Sequence, residues 1–244
     1  MKNYENAIDR IGDRPGSTIQ RWLSKRLVQR FLVGDHHCQI LEVGTGVGRI
    51  AEQVLMLGHS YVGVEPTTSL RRAANTKLAK IGHIDAVIDD SLPTLKNLQD
   101  KVFSHAIALH VLEHARSSEE AAEWLTAIAQ RVSRGGRILI VCPNYMDLGR
   151  HFFDVDWTHQ WVSTTSRLAC LGSELGLTVL EETDLRGTFS NPVLRFLLAS
   201  LSKAFPTQLA NFFFLRWFGL RNFGSGIQSA LLWRMSWVVF GKGV

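Results

Sequence analysis

The stretch QILEVGTGVGRIAEQVLMLGHSYVGVEP, residues 39–66, decides the fold. Residues 39–43 are a short stretch with an apolar Ile-Leu-Val set, as a buried strand requires, and they run into a glycine turn. Gly44, Gly46 and Gly48 permit a tight turn and let a ligand approach the backbone closely. Residues 50–57 have a helical pattern that stops at Gly58, and residues 60–64 form a second apolar strand ending at Glu65. The unit is therefore strand, glycine loop, helix, strand, with an acid after the second strand. A dinucleotide loop reads GxGxxG and sets a pyrophosphate on the helix N-terminus. Here the spacing is GxGxG and Glu42 precedes the loop. A carboxylate there repels a pyrophosphate and suits an ammonium group, while Glu65 suits the two hydroxyls of a ribose.

Working outward, strand and helix patterns alternate. Strands are expected at 86–88, 103–109, 137–141, 177–182 and 236–240, and helices at 69–80, 117–134 and 163–175. Ahead of them, Ser17 and Gln20 read as a capping box for a helix carrying Ile19, Trp22, Leu23, Leu27 and Phe31 at helical spacing, up to Gly34. Ser117 and Glu120 form a second capping box, with Gly135 and Gly136 read as the end of that helix. Apolar strands alternating with helices imply an α/β fold, a largely parallel sheet covered on both faces. Ligands of such sheets bind at the strand carboxyl ends, here the loops at 44–48, 65–69, 89–93, 110–116 and 143–162. The chain divides into an N-terminal arm and helix (1–36), a core (37–187), an apolar basic helical insertion (188–234) and a last core strand (235–244).

Four runs together, residues 40–66, VIDDSLPTL at 87–95, HVLEH at 110–114 and GGRILIVCPNY at 135–145, resemble the class I S-adenosylmethionine-dependent methyltransferases. The resemblance covers roughly residues 38–185 and the strand near 237–240. It implies a Rossmann-like, doubly wound seven-stranded sheet with the last strand antiparallel, and S-adenosylmethionine as cofactor. By the same resemblance Glu42, Gly44, Gly46 and Gly48 line the methionine end, Glu65 holds the ribose, and Asp89 or Asp90 reaches the adenine amine. The loop carrying His110 faces the sulfonium.

Methyl transfer from a sulfonium is an in-line displacement, so positioning of the nucleophile dominates, worth roughly 7–11 kcal/mol of barrier. An alcohol acceptor must also lose a proton, to a neutral histidine or with help from a cation. Glu113, His114 and the later His159 are the candidates. They resemble the Glu-x-x-Glu-His plus His pattern of two metal-binding groups, the ubiquinone-pathway O-methyltransferases and the small-RNA 3′-terminal ribose 2′-O-methyltransferases. His110 stands where those groups have their first Glu. A divalent metal is thus one expectation and a histidine base the other. His151, Asp154 and Asp156 share the later polar loop.

Charge is unevenly placed. Residues 186–244 hold seven Lys/Arg, no Asp/Glu and 12 of the 23 aromatic residues, whereas the remainder holds 20 basic and 22 acidic residues. Leu209, Phe212, Phe213, Trp217 and Leu220 recur at helical spacing, so residues 193–221 are expected to be a lid, a dimer face or a peripheral membrane contact. The basic residues are too sparse among aliphatics to favour nucleic acid. The longest charge-free runs there, 204–215 and 222–233, are 12 residues each, short of the ~20 a spanning helix needs. No apolar run follows Met1 and Lys2, and Cys38, Cys142 and Cys170 make no disulfide framework or CxxC site, so a cytoplasmic location is expected. The expected activity is O-methylation of a small or lipid-linked hydroxylated acceptor, such as a glycan precursor or quinone-like compound. The alternatives are a nicotinamide-dependent oxidoreductase and a non-catalytic methyltransferase-like subunit.

Overall fold

In the computed structural model, seven strands form one sheet in the order β3-β2-β1-β4-β5-β7-β6. The structure describes residues 16–149, 152–153, 156–186, 212, 216–217 and 234–243. The expected arm, His151, Asp154 and nearly all of the insertion at 188–234, including the membrane-contact stretch at 193–221, lie outside the described residues. Of that stretch only Phe212, Arg216 and Trp217 are described. They are helical, and both aromatics are exposed. No helix among the described residues is long and apolar enough to cross a membrane.

The strands are β1 (Gln39–Val43), β2 (Ser60–Val64), β3 (Val87–Ile88), β4 (Phe103–Leu109), β5 (Val132–Pro143), β6 (Thr178–Arg186) and β7 (Arg234–Gly241). The first five run parallel, and β7 lies antiparallel between β5 and β6. The helices are α1 (Gly16–Phe31), α2 (Arg49–Met56), α3 (Thr68–Ala79), α4 (Ser118–Gln130), α5 (Tyr145–Leu148) and α6 (Thr165–Glu174).

Strand side chains alternate between two cores, as a period of two dictates. Leu41, Ala106, Ala108, Ile138, Ile140 and Val238 face one side, against Leu125 and Ile128 of α4 and Leu168 of α6. Ile40, Ile107, Leu139 and Trp237 face the other, against Val28 and Phe31 of α1, Val54 of α2 and Leu78 of α3. Burial on both faces explains why the central strands read as nearly continuous apolar runs. The order in which the parallel strands are laid down reverses between β1 and β4, which opens a crevice at their carboxyl ends.

Several boundaries differ from the sequence reading. Helix α1 is described from Gly16 onward, so the backbone of Ser17 already lies within the helix. Helix α4 ends at Gln130, not at the glycine pair, because Val132 is buried and pairs with Phe103 as the start of β5. Gly135 and Gly136 instead join β5 to the end of β7: Gly135 N–H donates to the Lys242 carbonyl at 2.9 Å, and Lys242 N–H donates to the Gly136 carbonyl at 2.9 Å. The Lys242 ammonium also caps the end of α4 by donating to the Ala129 carbonyl at 2.9 Å. The capping box at α4 is half made. Ser117 Oγ accepts Glu120 N–H at 3.2 Å, but the Glu120 carboxylate takes Arg116 N–H. Helix α6 starts two residues later than expected, capped by Thr164, while Ser163 Oγ donates to the Pro143 carbonyl at 2.7 Å.

Candidate active site

The turn after β1 is shaped by its backbone. Gly44, Gly46 and Gly48 have φ of 77°, 57° and 74°, the left-handed region that disfavours other residues. At Gly44 a Cβ would also stand 2.6 Å from Val111 Cγ2. Gly44 N–H and Thr45 N–H both donate to the Val64 carbonyl, at 2.9 and 3.1 Å, which ties the loop to the end of β2. There the buried Glu65 turns back toward the loop. Its Oε2 accepts Gly46 N–H at 2.8 Å and its Oε1 accepts Thr67 N–H at 2.9 Å. Each oxygen keeps a lone-pair direction for a further donor.

Glu42 is buried at the end of β1. The Tyr61 hydroxyl donates to its Oε2, and Thr45 Oγ1 lies 3.0 Å from the same hydroxyl. Burial pushes the Glu42 carboxyl up to about 8 despite the Tyr61 hydrogen bond, and the Glu65 carboxylate adds to the rise. Burial, followed by Glu42 itself, pushes the Tyr61 phenol well above its usual range. Glu42, Gly44, Gly46 and Glu65 line one cavity of about 610 Å³, together with Leu23 and Leu27 of α1 and with His110 and His114. Arg49 also lines it. Burial lowers the pKa of this guanidinium, which meets no acceptor among the described residues.

Asp89 and Asp90 do not line the cavity, whereas their neighbours Ser91 and Leu92 do. Asp89 is 70% exposed and pairs with Arg71 at 2.9 Å. Asp90 is buried and bound into its own loop: its Oδ1 accepts Ser91 N–H at 2.8 Å and Lys96 N–H at 3.0 Å, and its Oδ2 accepts Asn97 N–H at 2.7 Å. The expected contact of either acid with an adenine amine therefore has no support from the geometry. Asp90 is occupied in folding the loop. Gly48 likewise stays out of the cavity wall. It caps α2, where an added Cβ would come within 3.2 Å of Ala74.

The histidine cluster assembles as the sequence suggests. His110 follows β4 with a φ of 55°, unusual for a residue with a Cβ. Its Nδ1 lies 3.1 Å from Glu113 Oε1. Glu113 is fully buried. Burial pushes its carboxyl up, but the His110 hydrogen bond and the charges of His110 and His114 outweigh burial and hold it below the usual carboxylate range. The Cys142 thiol, raised by burial, is raised further by the Glu113 carboxylate beside it. The Glu113 carbonyl accepts Gln160 N–H at 2.8 Å and Trp161 N–H at 3.1 Å, which ties the 156–161 loop to the turn after β4. This brings His159 to His114, with ring centroids 5.2 Å apart. His159 Nδ1 lies 2.8 Å from the Phe152 carbonyl, and His114 Nδ1 lies 2.9 Å from Thr158 Oγ1.

Ligand atoms of Glu113, His114 and His159 all fall within 4.8 Å of one another, and Glu113 Oε2 is buried without a hydrogen-bond partner. The donor set fits a cation. The sequence reading did not anticipate Tyr61, Arg49, Thr158 or the α1 side chains at the cavity. A tyrosine within an otherwise apolar strand was the visible signal for the first. The others depend on residues far apart in the chain.

Residues 41–138 match the family described as Methyltransferase domain. An uncharacterized methyltransferase of Alkaliphilus oremlandii (strain OhILAs) is 30% identical over 100 residues, 41% of this chain and 43% of that protein, so the chain spans less than half of this relative's length. Among solved structures, magnesium protoporphyrin IX methyltransferase (ChlM) from Synechocystis PCC 6803 with bound SAM has a TM-score of 0.56 at 12% identity, covering 91% of this chain and 79% of that one. N-methyltransferase NodS from Bradyrhizobium japonicum WM9, in complex with S-adenosyl-L-homocysteine, has a TM-score of 0.57 at 13% identity, covering 95% and 89%. The matched domain, the relative and the solved structures are all methyltransferases, so the chain is similar to that family, and its sheet has the seven-stranded, β7-antiparallel fold of the solved structures.

Proposed function

We propose that this enzyme transfers the methyl group of S-adenosylmethionine to a hydroxyl of a small or lipid-linked acceptor, with His114 receiving the acceptor's proton. The observation that carries the reading is one cavity lined both by two carboxyl residues, Glu42 and Glu65, and by two histidines, His110 and His114. Glu42 and Glu65 share that wall closely enough for one to raise the other's pKa. Two acids in one cavity call for a cationic ligand, and S-adenosylmethionine brings an ammonium and a sulfonium. Glu42 then receives the ammonium, the Gly44–Gly46 turn lies along the aminoacyl part, and Glu65 accepts from the ribose diol. His110 and His114 stand toward the methyl group, where an acceptor must align for in-line attack. His159 backs His114.

A second reading, favoured by the unpartnered Glu113 Oε2, gives Glu113, His114 and His159 to a divalent ion. Such an ion would lower the pKa of the acceptor hydroxyl. The acceptor class is inferred from the polar 156–161 loop and the aromatic, basic tail, which also motivate a peripheral membrane contact.

The test is transfer of labelled methyl groups to washed membranes, soluble sugars and RNA in parallel. Incorporation into a membrane or sugar fraction, abolished by His114→Asn, supports the reading. Incorporation into RNA alone overturns it. Tight S-adenosylhomocysteine binding without turnover on any fraction points to the non-catalytic subunit instead. Activity that survives exhaustive chelation removes the metal reading.

A further inference from the structure

We infer that Thr158 and Asp156 are positioning residues that fix the tautomer of His114, so that its Nε2 carries the lone pair. The inference rests on the reading of His114 as the proton acceptor, and it assigns a role to two residues that make no contact with the cofactor cavity.

The argument is one of proton counting. Thr158 Oγ1 lies 2.7 Å from Asp156 Oδ1 and 2.9 Å from His114 Nδ1. A hydroxyl has one proton to give and can accept through its lone pairs. An ionised carboxylate only accepts, so the proton between Thr158 and Asp156 must come from Thr158. Were it directed at His114, two acceptor oxygens would face each other at 2.7 Å with nothing between them. The hydroxyl therefore donates to Asp156 and accepts from His114, which places a proton on His114 Nδ1. In the neutral ring, Nε2 then holds the lone pair.

Two further bonds make the arrangement rigid. Asp156 Oδ1 also accepts Thr158 N–H at 2.9 Å, so backbone and side chain of Thr158 are held by one carboxylate oxygen. The segment is pinned on its other side by Gln160 N–H and Trp161 N–H on the Glu113 carbonyl. Since Glu113 immediately precedes His114, the donor ring and the hydroxyl that reads its tautomer are tied to the same short turn. His159 follows the same rule. Its Nδ1 faces the Phe152 carbonyl at 2.8 Å, and a carbonyl can only accept. Two adjacent imidazoles thus carry their lone pairs on Nε2, and one of them, His114, lines the cavity. A histidine in the wrong tautomer cannot accept a proton at the atom that faces the substrate, and general-base catalysis of this kind is worth roughly a hundredfold to ten-thousandfold.

The test is a two-bond ¹H–¹⁵N spectrum of the full chain with ¹⁵N-labelled histidine rings and S-adenosylhomocysteine bound, with His114→Asn identifying the His114 signals. The expected result is a protonated Nδ1 and a lone pair on Nε2 for His114 in the wild type and in Thr158→Ser. Thr158→Val is expected to lose that signature while binding S-adenosylhomocysteine within about twofold of wild type, since Thr158 lies outside the cavity wall. A wild-type His114 protonated on Nε2 overturns the inference, as does a Thr158→Val spectrum identical to wild type. If Thr158→Val does not fold, the wild-type tautomer alone decides. Failure of the parent reading looks different: the tautomer is as expected, but His114→Asn still transfers methyl groups to the acceptor fraction.

Discussion

The Tyr61 hydroxyl donates to the buried Glu42 carboxyl, and Thr45 closes the same chain at 3.0 Å. A carboxyl in this setting is uncharged over much of the neutral range, because burial moves it up to about 8. The arrival of an ammonium group would reverse that preference and expel the proton. Cofactor affinity should therefore rise with pH, up to about tenfold per unit, and level off above about 8. Calorimetry of S-adenosylhomocysteine binding at pH 6.5, in buffers of different ionisation heat, is expected to show release of close to one proton, and Glu42→Gln should abolish that release. Equal heats in all buffers would contradict it. The stability of the free protein carries the opposite sign. The folded pKa of Glu42 lies above its unfolded value, so this group favours folding most below the unfolded pKa. That contribution is lost as pH rises toward 8.

Glu65 holds its position through Gly46 N–H and Thr67 N–H rather than through a charged partner. Glu65→Ala removes the acceptor for a ribose diol and frees both amides. Hydrogen bonds to a charged group are worth about 1.5–3 kcal/mol, so S-adenosylhomocysteine affinity should fall by at least about tenfold. Adenine, which has no ribose, should bind the variant and wild type alike. A parallel loss for adenine would mean that the loop had collapsed.

Gly44→Ala meets two obstacles: a φ of 77° and a Cβ 2.6 Å from Val111 Cγ2. Left-handed strain costs roughly 1–3 kcal/mol and overpacking a similar amount. The variant should melt several degrees lower and lose cofactor binding. Adding Val111→Ala removes the clash but not the backbone strain, so the double variant should recover only part of the melting temperature. Full recovery would show that the dihedral angle is unimportant.

The β1–α2–β2 unit was legible because its signals are local: alternation, a glycine turn, an acid at a strand end. The reversed position of β7 beside β5 was expected only from the resemblance, since its pairing with Ile138–Val141 spans about a hundred residues. The end of α4 was misread because a Gly-Gly pair signals a helix stop equally well as a strand junction, and only Lys242 distinguishes the two. The gathering of Glu113, His114 and His159 followed from their common place at the strand carboxyl ends. The hydroxyl of Thr158 on His114, 44 positions away, leaves no periodic trace. Glu42 and Glu65 announced themselves by position, whereas Tyr61, which links Glu42 to Thr45, was hidden in an apolar strand.

The two neighbouring acids after β3 should behave in opposite ways from what their motif implies. Asp90 takes three backbone N–H groups, from Ser91, Lys96 and Asn97. Asp90→Ala strands those donors and removes a charged acceptor, a loss on the order of 2–4 kcal/mol if one or two of them stay buried. Asp89 makes an exposed pair with Arg71, and such pairs contribute about 0–1 kcal/mol, so Asp89→Ala should leave the melting temperature nearly unchanged. Thermal melts of both variants, with S-adenosylhomocysteine titrations alongside, separate folding from binding. For Asp90→Ala the expected pattern is a large drop in stability, with cofactor affinity preserved at temperatures where the variant is folded. Weak binding by a fully stable Asp90→Ala protein would return Asp90 to the adenine site and show that its carboxylate can leave the loop to meet a ligand.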